Sequence, residues 1–148
     1  MSDTEGTGAI RSVDYIIVLC DDLGSMRRFY TDMLGFALHD EGEDWVGLQV
    51  GSLFLGLRPR GRAYDGPSPA SGTASVQLSF RVPPADVDVA YRSLLDHGVS
   101  IIEQPTSQDA AWGHRTLFFR DPENNILEIY ADIHPDDAGD GHSSIHDR

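Results

Sequence analysis

The stretch that decides the fold is WGHRTLFFRDPENNILEIY, residues 112–130. An apolar, β-forming run precedes Asp121-Pro122, and this pair predicts a turn, because proline presets φ at its own position. Asn124 or Asn125 can adopt the left-handed conformation that closes the turn. Residues 126–130 then return as a second strand, so the whole stretch is a predicted β-hairpin.

Glu128 breaks the pattern of this hairpin. It is a carboxylate between Leu127 and Ile129, in the middle of the return strand. A charged residue among apolar neighbours lies either on a wet face or in a site. We interpret Glu128 as a site residue.

The rest of the chain repeats one order of elements. Each half predicts a strand, an amphipathic helix and three further strands, and the helices end at Gly35 and Gly98. Each half alone is too small for a confident independent domain, so the two should share one sheet system and one site. The predicted strands are residues 13–20, 36–39, 45–50, 53–58, 75–82 and 99–103 besides the hairpin, with a polar loop at residues 104–111.

These elements set the predicted organisation of the chain. A single domain spans residues 11–132, with module one at 12–58, a Gly/Pro/Ser-rich linker at 59–74 and module two at 75–132. The polar N-terminus, residues 1–10, and the acidic tail, residues 133–148, are predicted to be disordered.

Composition narrows the possible partners. The chain has 148 residues and a formal net charge of −13, which argues against nucleic acid, since binding to phosphates needs basic patches. No apolar run approaches the roughly 20 residues that span a bilayer, so no membrane partner is expected. The single Cys20 excludes an internal disulfide and favours a reducing cytoplasm. Cys20 itself should pack beneath the first helix.

The quoted motifs resemble those of a known family. Residues 15–23 (YIIVLCDDL) and 119–128 (FRDPENNILE), with the repeated element order, resemble the vicinal oxygen chelate superfamily. It contains glyoxalase I, bleomycin-resistance proteins, extradiol dioxygenases and fosfomycin-resistance enzymes. The resemblance covers about residues 13–132. It implies an α+β fold of two tandem βαβββ modules forming a cup-shaped mixed sheet with helices outside, and a homodimer.

The resemblance also implies where a metal would be held. The family's four ligand positions fall on Tyr15, Gly56, Gln77 and Glu128, of which only Gln77 and Glu128 offer ready oxygen ligands. Catalytic metal sites keep about three protein ligands. We therefore expect no cofactor. The alternative is one divalent metal, Zn, Ni, Mn or Fe, on Gln77 and Glu128.

Strand alternation predicts which side chains line the cup, because every second residue shares one face. The predicted ligand-binding residues are Tyr15, Trp45, Phe54, Arg58, Gln77, Arg81, Phe118 and Tyr130. Glu128, with His114, is the candidate acid/base pair. Glu128 could instead pair with Arg58, Arg81 or His114, or bind the alternative metal.

Three functions follow from these patterns. The first is a small-molecule-binding protein that binds an aromatic or cationic organic ligand, as resistance and sequestration proteins do. The net charge of −13 would steer a cationic ligand toward it. The second is a glyoxalase- or dioxygenase-like lyase or isomerase, with the metal acting as a Lewis acid or, without metal, with Glu128 and His114 as acid and base. The third is a duplicated scaffold without small-molecule chemistry.

Overall fold

The computed structural model describes residue 6 and residues 8–108 and 113–133. The first half contains β1 (Tyr15–Cys20), α1 (Leu23–Arg28), a π-helical turn (Phe29–Met33), β2 (Ala37–Gly42), β3 (Trp45–Val50) and β4 (Leu53–Pro59). The linker contains a 3-10 turn (Ala63–Asp65). The second half contains β5 (Gln77–Arg81), α2 (Asp86–Asp96), β6 (Ile101–Gln108), β7 (Gly113–Arg120) and β8 (Ile126–Ile133).

Each half forms its own four-stranded mixed sheet. The strand order is β1-β4-β3-β2 in sheet A and β5-β8-β7-β6 in sheet B. β1 runs parallel to β4 in sheet A, and β5 runs parallel to β8 in sheet B. All other neighbouring strands are antiparallel. The predicted α+β class and the two tandem βαβββ modules are confirmed. The strands β1 and β5 are edge strands, a fact that matters for the site.

The helix-facing sides of the two sheets share one hydrophobic core. Phe29 packs against Phe119 across the modules, with ring centroids 6.4 Å apart, and Phe36 meets Phe80 at 5.2 Å. Cys20 is fully buried in this core, as predicted. Burial, reinforced by the carboxylate of Glu123, raises the pKa of the Cys20 thiol to about 12, so the thiol stays protonated at neutral pH.

A buried carboxylate joins the modules inside this core. Asp121 accepts a hydrogen bond from the Tyr30 hydroxyl at 2.8 Å, across 91 residues of sequence. It also accepts from the backbone N–H of Glu123 and from the backbone and side-chain N–H of Asn125, at 2.8 to 3.0 Å. Burial, together with the charge of Asp121, raises the pKa of Tyr30. The carboxylate is thus satisfied by donors from both halves of the chain.

A second contact ties the same turn to the start of α1. One oxygen of Glu123 accepts hydrogen bonds from the backbone N–H groups of Asp21 and Asp22, at 3.0 and 2.9 Å. Asp22 is the N-cap of α1, and its carboxylate accepts from the backbone N–H of Ser25. The end of β1 therefore has its donors satisfied by a side chain from the other module.

The hairpin forms as predicted, and Asn124 takes the left-handed conformation with φ of 70°. The loop predicted at residues 104–111 is wrong in its described part, because β6 continues to Gln108 by pairing with β7. β6 is an edge strand, so its polar side chains can face water while its backbone completes the ladder.

Other boundaries shift by a few residues. β2 runs through the charged residues to Gly42, whereas the prediction ended at His39, and β5 starts at Gln77. β8 extends to Ile133, the first residue of the predicted tail. The rest of that tail, residues 1–5 and 7 of the predicted N-terminus, and Trp112 lie outside the described residues. Within the described part, the helices are too short and too polar to cross a bilayer.

Candidate functional site

Four rings form a continuous aromatic face on the side of sheet A that is turned away from α1. Tyr15 stacks on Phe54 with centroids 5.1 Å apart and meets the edge of Trp45 at 5.6 Å. His39 lies 4.4 Å from Phe54. These four residues are called the aromatic face below. Tyr15 is 36% exposed, so the face is open to solvent and can receive a flat ligand.

Trp45 occupies the space that a side chain at Gly56 would need. A Cβ atom built on Gly56 would lie 2.3 Å from Trp45 Cη2 and 2.8 Å from its Cζ3. The indole N–H donates to both carboxylate oxygens of Asp40, at 3.2 and 3.3 Å, and this holds the ring over the glycine. Gly56 is thus a glycine because a tryptophan ring lies against its backbone.

The corresponding side of sheet B carries polar groups. Glu128 accepts a hydrogen bond of 2.5 Å from the Ser79 hydroxyl, its partner in the β5–β8 register. Phe118 lies opposite Glu128 in the β7–β8 register. Gln77 shares this face with Ser79, two residues along β5, and is exposed. Glu128 is therefore anchored by a neutral hydroxyl, and it forms no ion pair with Arg58, Arg81 or His114 within the described residues.

His114 and Arg81 meet at Asp132 instead. His114 Nε2 lies 3.1 Å from one oxygen of Asp132, and Arg81 lies 3.4 Å from the other. The Arg81 guanidinium also sits 5.8 Å from the centre of the Tyr130 ring. Asp132 follows Glu128 by four residues on one strand, a spacing of about 13 Å. His114 and Glu128 therefore do not form a hydrogen-bonded acid/base pair in this structure.

Arg58 does not contribute a free guanidinium to the site. Its two terminal nitrogens form a bidentate pair with Asp65 of the linker, at 2.8 and 3.0 Å, and the Asp65 side chain is only 2% exposed. Asp65 also accepts from the backbone N–H groups of Gly61 and Arg62. That Arg58 binds a ligand stays a prediction; in this structure its guanidinium is paired with Asp65 of the linker. Linker folding, which strand alternation does not encode, decides this.

The Arg58–Asp65 pair makes the free energy of unfolding depend on pH in the acidic range. The hydrogen bonds from Arg58, then those from Gly61 and Arg62, hold the pKa of Asp65 well below its usual range. In the unfolded chain the Asp65 carboxyl has about the ordinary aspartate pKa of 3.9, so it binds a proton more readily than in the folded protein. Acid therefore favours unfolding. We expect the stability advantage of wild type over Asp65→Asn to be full at neutral pH and to shrink as pH falls below about 4.

Urea denaturation of both proteins at neutral and acidic pH measures this gap. Asp96→Asn, on the exposed end of α2, is the matched control. A gap between wild type and Asp65→Asn that is the same at every pH would contradict the assignment.

An apolar groove of about 890 Å³ lies beside the free edge of β5. It brings together Phe54 from sheet A with Gln77 and Arg81 from sheet B. The other predicted site residues do not line it: these are Tyr15, Trp45, Arg58, His114, Phe118, Glu128 and Tyr130. One chain thus presents two separate faces and a groove, and the predicted residues do not converge on a single enclosed cavity within the described residues.

The metal that the resemblance implies does not fit these residues. Gly56 has no side chain, and Trp45 blocks the space into which one would project. Gln77 and Glu128 remain, but three protein ligands are the usual minimum for a catalytic metal. No group of three His, Cys, Asp or Glu side chains in the described part of the chain could hold an ion.

Two acidic residues at the site escaped prediction. Asp132 could have been found, because alternation from Glu128 places it on the same face. Asp40 carried no such signal: it reaches Trp45 from within β2, just after the register shift between Leu38 and Asp40, and simple alternation does not foresee that shift.

The chain is similar to one protein family and to proteins described as belonging to it or sharing its fold. A family model described as the glyoxalase/bleomycin resistance protein/dioxygenase superfamily matches residues 12–129. A glyoxalase domain-containing protein of Mycosarcoma maydis is 28% identical over 122 residues, which cover 82% of this chain and 68% of that protein. A virulence protein of Salmonella typhimurium is 24% identical over 121 residues, covering 81% and 83%.

Solved structures agree in fold. The crystal structure of the Salmonella virulence protein covers 84% of this chain and 98% of its own, with a TM-score of 0.66 and 22% identity. A glyoxalase/bleomycin resistance protein/dioxygenase from Nocardioides covers 86% and 87%, with a TM-score of 0.70 and 19% identity. At these identities the likeness concerns the fold alone.

Proposed function

Because the chain belongs to the glyoxalase/bleomycin resistance protein/dioxygenase superfamily, we propose that it binds a small aromatic or cationic organic molecule without a metal. The proposed role is sequestration in the cytoplasm, of the antibiotic-resistance kind. The observation that carries this proposal is the Trp45 ring, which lies where a metal-binding side chain would project from residue 56.

The aromatic face supports a flat ligand. Tyr15, Trp45 and Phe54 present connected ring surfaces, and aromatic partners stack on such rings with centroids about 4.5–7 Å apart. Asp40 places a carboxylate at the edge of the Trp45 ring. Together with the net charge of −13, this carboxylate favours a ligand that carries a positive charge.

The polar side of sheet B supplies the hydrogen-bonding half of the proposed cup. Glu128, anchored by Ser79, keeps further lone pairs for a ligand donor, and the exposed Gln77 offers both donor and acceptor groups. A ligand held between the two sheets would stack on one side and hydrogen-bond on the other. This division of labour is typical of organic-ligand sites.

The protein acts as a homodimer in this proposal. The edge strand β1 exposes Tyr15, Ile16 and Ile17 to 36–49%, which is unusual for apolar residues on an unpaired edge. The apolar groove runs along β5, the other free edge. A second copy that set its β1 beside β5 would cover both features and bring an aromatic face against a polar face.

Ligand titration tests the binding function. The Trp112→Phe protein, in which Trp45 is the remaining tryptophan, is titrated with the planar cation acridine orange and with the anion anthracenecarboxylate. We expect saturable calorimetric heat and Trp45 quenching with the cation. Trp45→Ala and Glu128→Gln should each weaken binding about tenfold, a loss of one stacking or hydrogen-bonding contact. Glu43→Gln, an exposed residue with the same charge change, should not.

The outcomes that count against binding are specific. Saturation by neither probe, or equal affinity in Trp45→Ala and wild type, would contradict the aromatic face as the site. Sedimentation equilibrium tests the dimer separately, and a monomer at micromolar concentration would exclude the shared cup.

The rival function is a lyase, isomerase or dioxygenase that holds a divalent metal on Gln77 and Glu128. The protein is incubated with Zn, Ni, Co, Mn or Fe(II), desalted, and its metal content measured by elemental analysis. About one metal per chain, lost in Glu128→Ala, would overturn the metal-free proposal. No retained metal supports it.

A further inference from the structure

The rings of Tyr15 and Trp45 form a corner within the aromatic face. Their planes are inclined at 61° and their centroids are 5.6 Å apart, so the two rings do not make a flat floor. Phe54 stacks on Tyr15 at 26° and extends that wall. Tyr15 is exposed and Trp45 is only partly buried. A small, compact group can therefore reach both rings from solvent.

Two glycines make room for the Trp45–Asp40 pair at this corner. Gly56 lies under the indole ring. Asp40 is the partner of Gly47 in the β2–β3 register, and a Cβ atom built on Gly47 would overlap Asp40 Oδ1 and lie 3.1 Å from Trp45 Nε1. Such close approach is one reason for glycine inside a strand. The Asp40 carboxylate is thus held beside the indole, and it places a negative charge at the aromatic face.

The charge of Asp40 is not balanced by a cation within the described residues. Its carboxylate accepts the neutral indole N–H of Trp45, and it forms no ion pair there. Arg58 lies further along the same face of β4, but its guanidinium is paired with Asp65. Asp40 is exposed, so its charge can act on a ligand at the rings. The corner therefore attracts a positive group.

We propose that this corner binds a quaternary ammonium group, with Tyr15 and Trp45 as walls and Asp40 as the counter-charge. A cation within about 6 Å of a ring centroid is attracted by the ring face. A primary ammonium carries three N–H donors, and ring carbons give them no acceptor in place of water. A quaternary ammonium has no such donor to satisfy. The inference rests on the proposed function and names the chemical class of its ligand.

The test is a titration of the full-length protein with choline, followed by the ¹H–¹⁵N NMR signal of the Trp45 indole N–H. The Trp112→Phe protein assigns that signal. The uncharged isostere 3,3-dimethylbutan-1-ol and the primary amine ethanolamine are the parallel arms, all at equal ionic strength. We expect choline to move the signal saturably. The alcohol and ethanolamine should each bind at least about tenfold more weakly, since one lacks the charge and the other adds N–H donors.

Variants separate the ring from the charge. Tyr15→Leu removes the ring but stays apolar, so it should weaken choline about tenfold and leave the alcohol unchanged. Tyr15→Phe keeps the ring and should bind choline as wild type does. Asp40→Asn keeps an oxygen for the indole N–H but loses the charge, and should weaken choline about fivefold. Asp96→Asn, the same charge change on the exposed end of α2, is the control. The amide spectrum of each variant reports that it is folded.

Three results would overturn the proposal. They are choline that binds no more tightly than the alcohol, ethanolamine that binds as tightly as choline, or Tyr15→Leu that binds choline as wild type does. If acridine orange still binds in any of these cases, the proposed function stands and only the quaternary ammonium class is wrong. Saturation by neither choline nor acridine orange would overturn both.

Discussion

Replacing Asp121 with alanine is expected to lower the free energy of unfolding by about 3 kcal/mol or more. Asp121 is 4% exposed and accepts four hydrogen bonds. Its removal leaves the buried hydroxyl of Tyr30 and the donors of Asn125 unsatisfied, and each such group costs about 1–3 kcal/mol. Because the network spans both modules, the loss should appear in a single transition. Urea denaturation measures it.

Two variants test whether the cost comes from this network. Tyr30→Phe removes one donor without leaving an orphaned carboxylate, and should cost about 1–2 kcal/mol. Asp96→Ala, at the exposed end of α2, should change stability by no more than about 0.5 kcal/mol. If Asp121→Ala were as mild as Asp96→Ala, the carboxylate would not be the link between the modules. Should Asp121→Ala fail to fold, Tyr30→Phe still gives the answer.

The second large effect on stability is expected when one methyl group is added at Gly56. Gly56→Ala should destabilise the protein by about 1–3 kcal/mol, because the new Cβ would meet the Trp45 ring at 2.3 Å. The Trp45 ring cannot simply move away, since its N–H donates a hydrogen bond to Asp40 and the ring packs against Tyr15. Thermal and urea unfolding, with acridine orange affinity as a second readout, measure the change.

A double-mutant cycle isolates the contact. In a Trp45→Ala background, Gly56→Ala should cost little, so that the two substitutions are coupled by about 1–3 kcal/mol. Gly42→Ala is the matched control, since nothing lies within 4 Å of a Cβ built there. Additive effects of Gly56→Ala and Trp45→Ala would show that the indole does not fill this space.

The parts of the fold that depend on local patterns could be predicted from the sequence. The hairpin turn followed from Asp121-Pro122 and an asparagine, and Asn124 indeed has positive φ. The duplicated element order followed from two amphipathic helices with glycine stops. The π-helical turn at Phe29–Met33 could not be predicted, because tertiary packing of Phe29 and Tyr30 decides it.

The candidate site was less predictable, since partners far apart in sequence decide it. Alternation placed Glu128 and Gln77 on one face, but the choice of Ser79 as partner of Glu128 depends on the parallel β5–β8 register. Arg58 was expected in the site because its strand position is right, yet the linker brings Asp65 to it. Linker conformation has no periodic signature in the sequence, so the Arg58–Asp65 pair could not be predicted.

The contact between Glu123 and the start of α1 has a consequence for how the chain folds during synthesis. The backbone N–H groups of Asp21 and Asp22 receive their acceptor from a residue 102 and 101 positions later, respectively. While the ribosome is still translating the second half, these two N–H groups lack their Glu123 acceptor and the core face of the first half is uncovered. Domains fold as units once their parts are available. We therefore expect the first module to complete its folding only after the hairpin has left the ribosome exit tunnel.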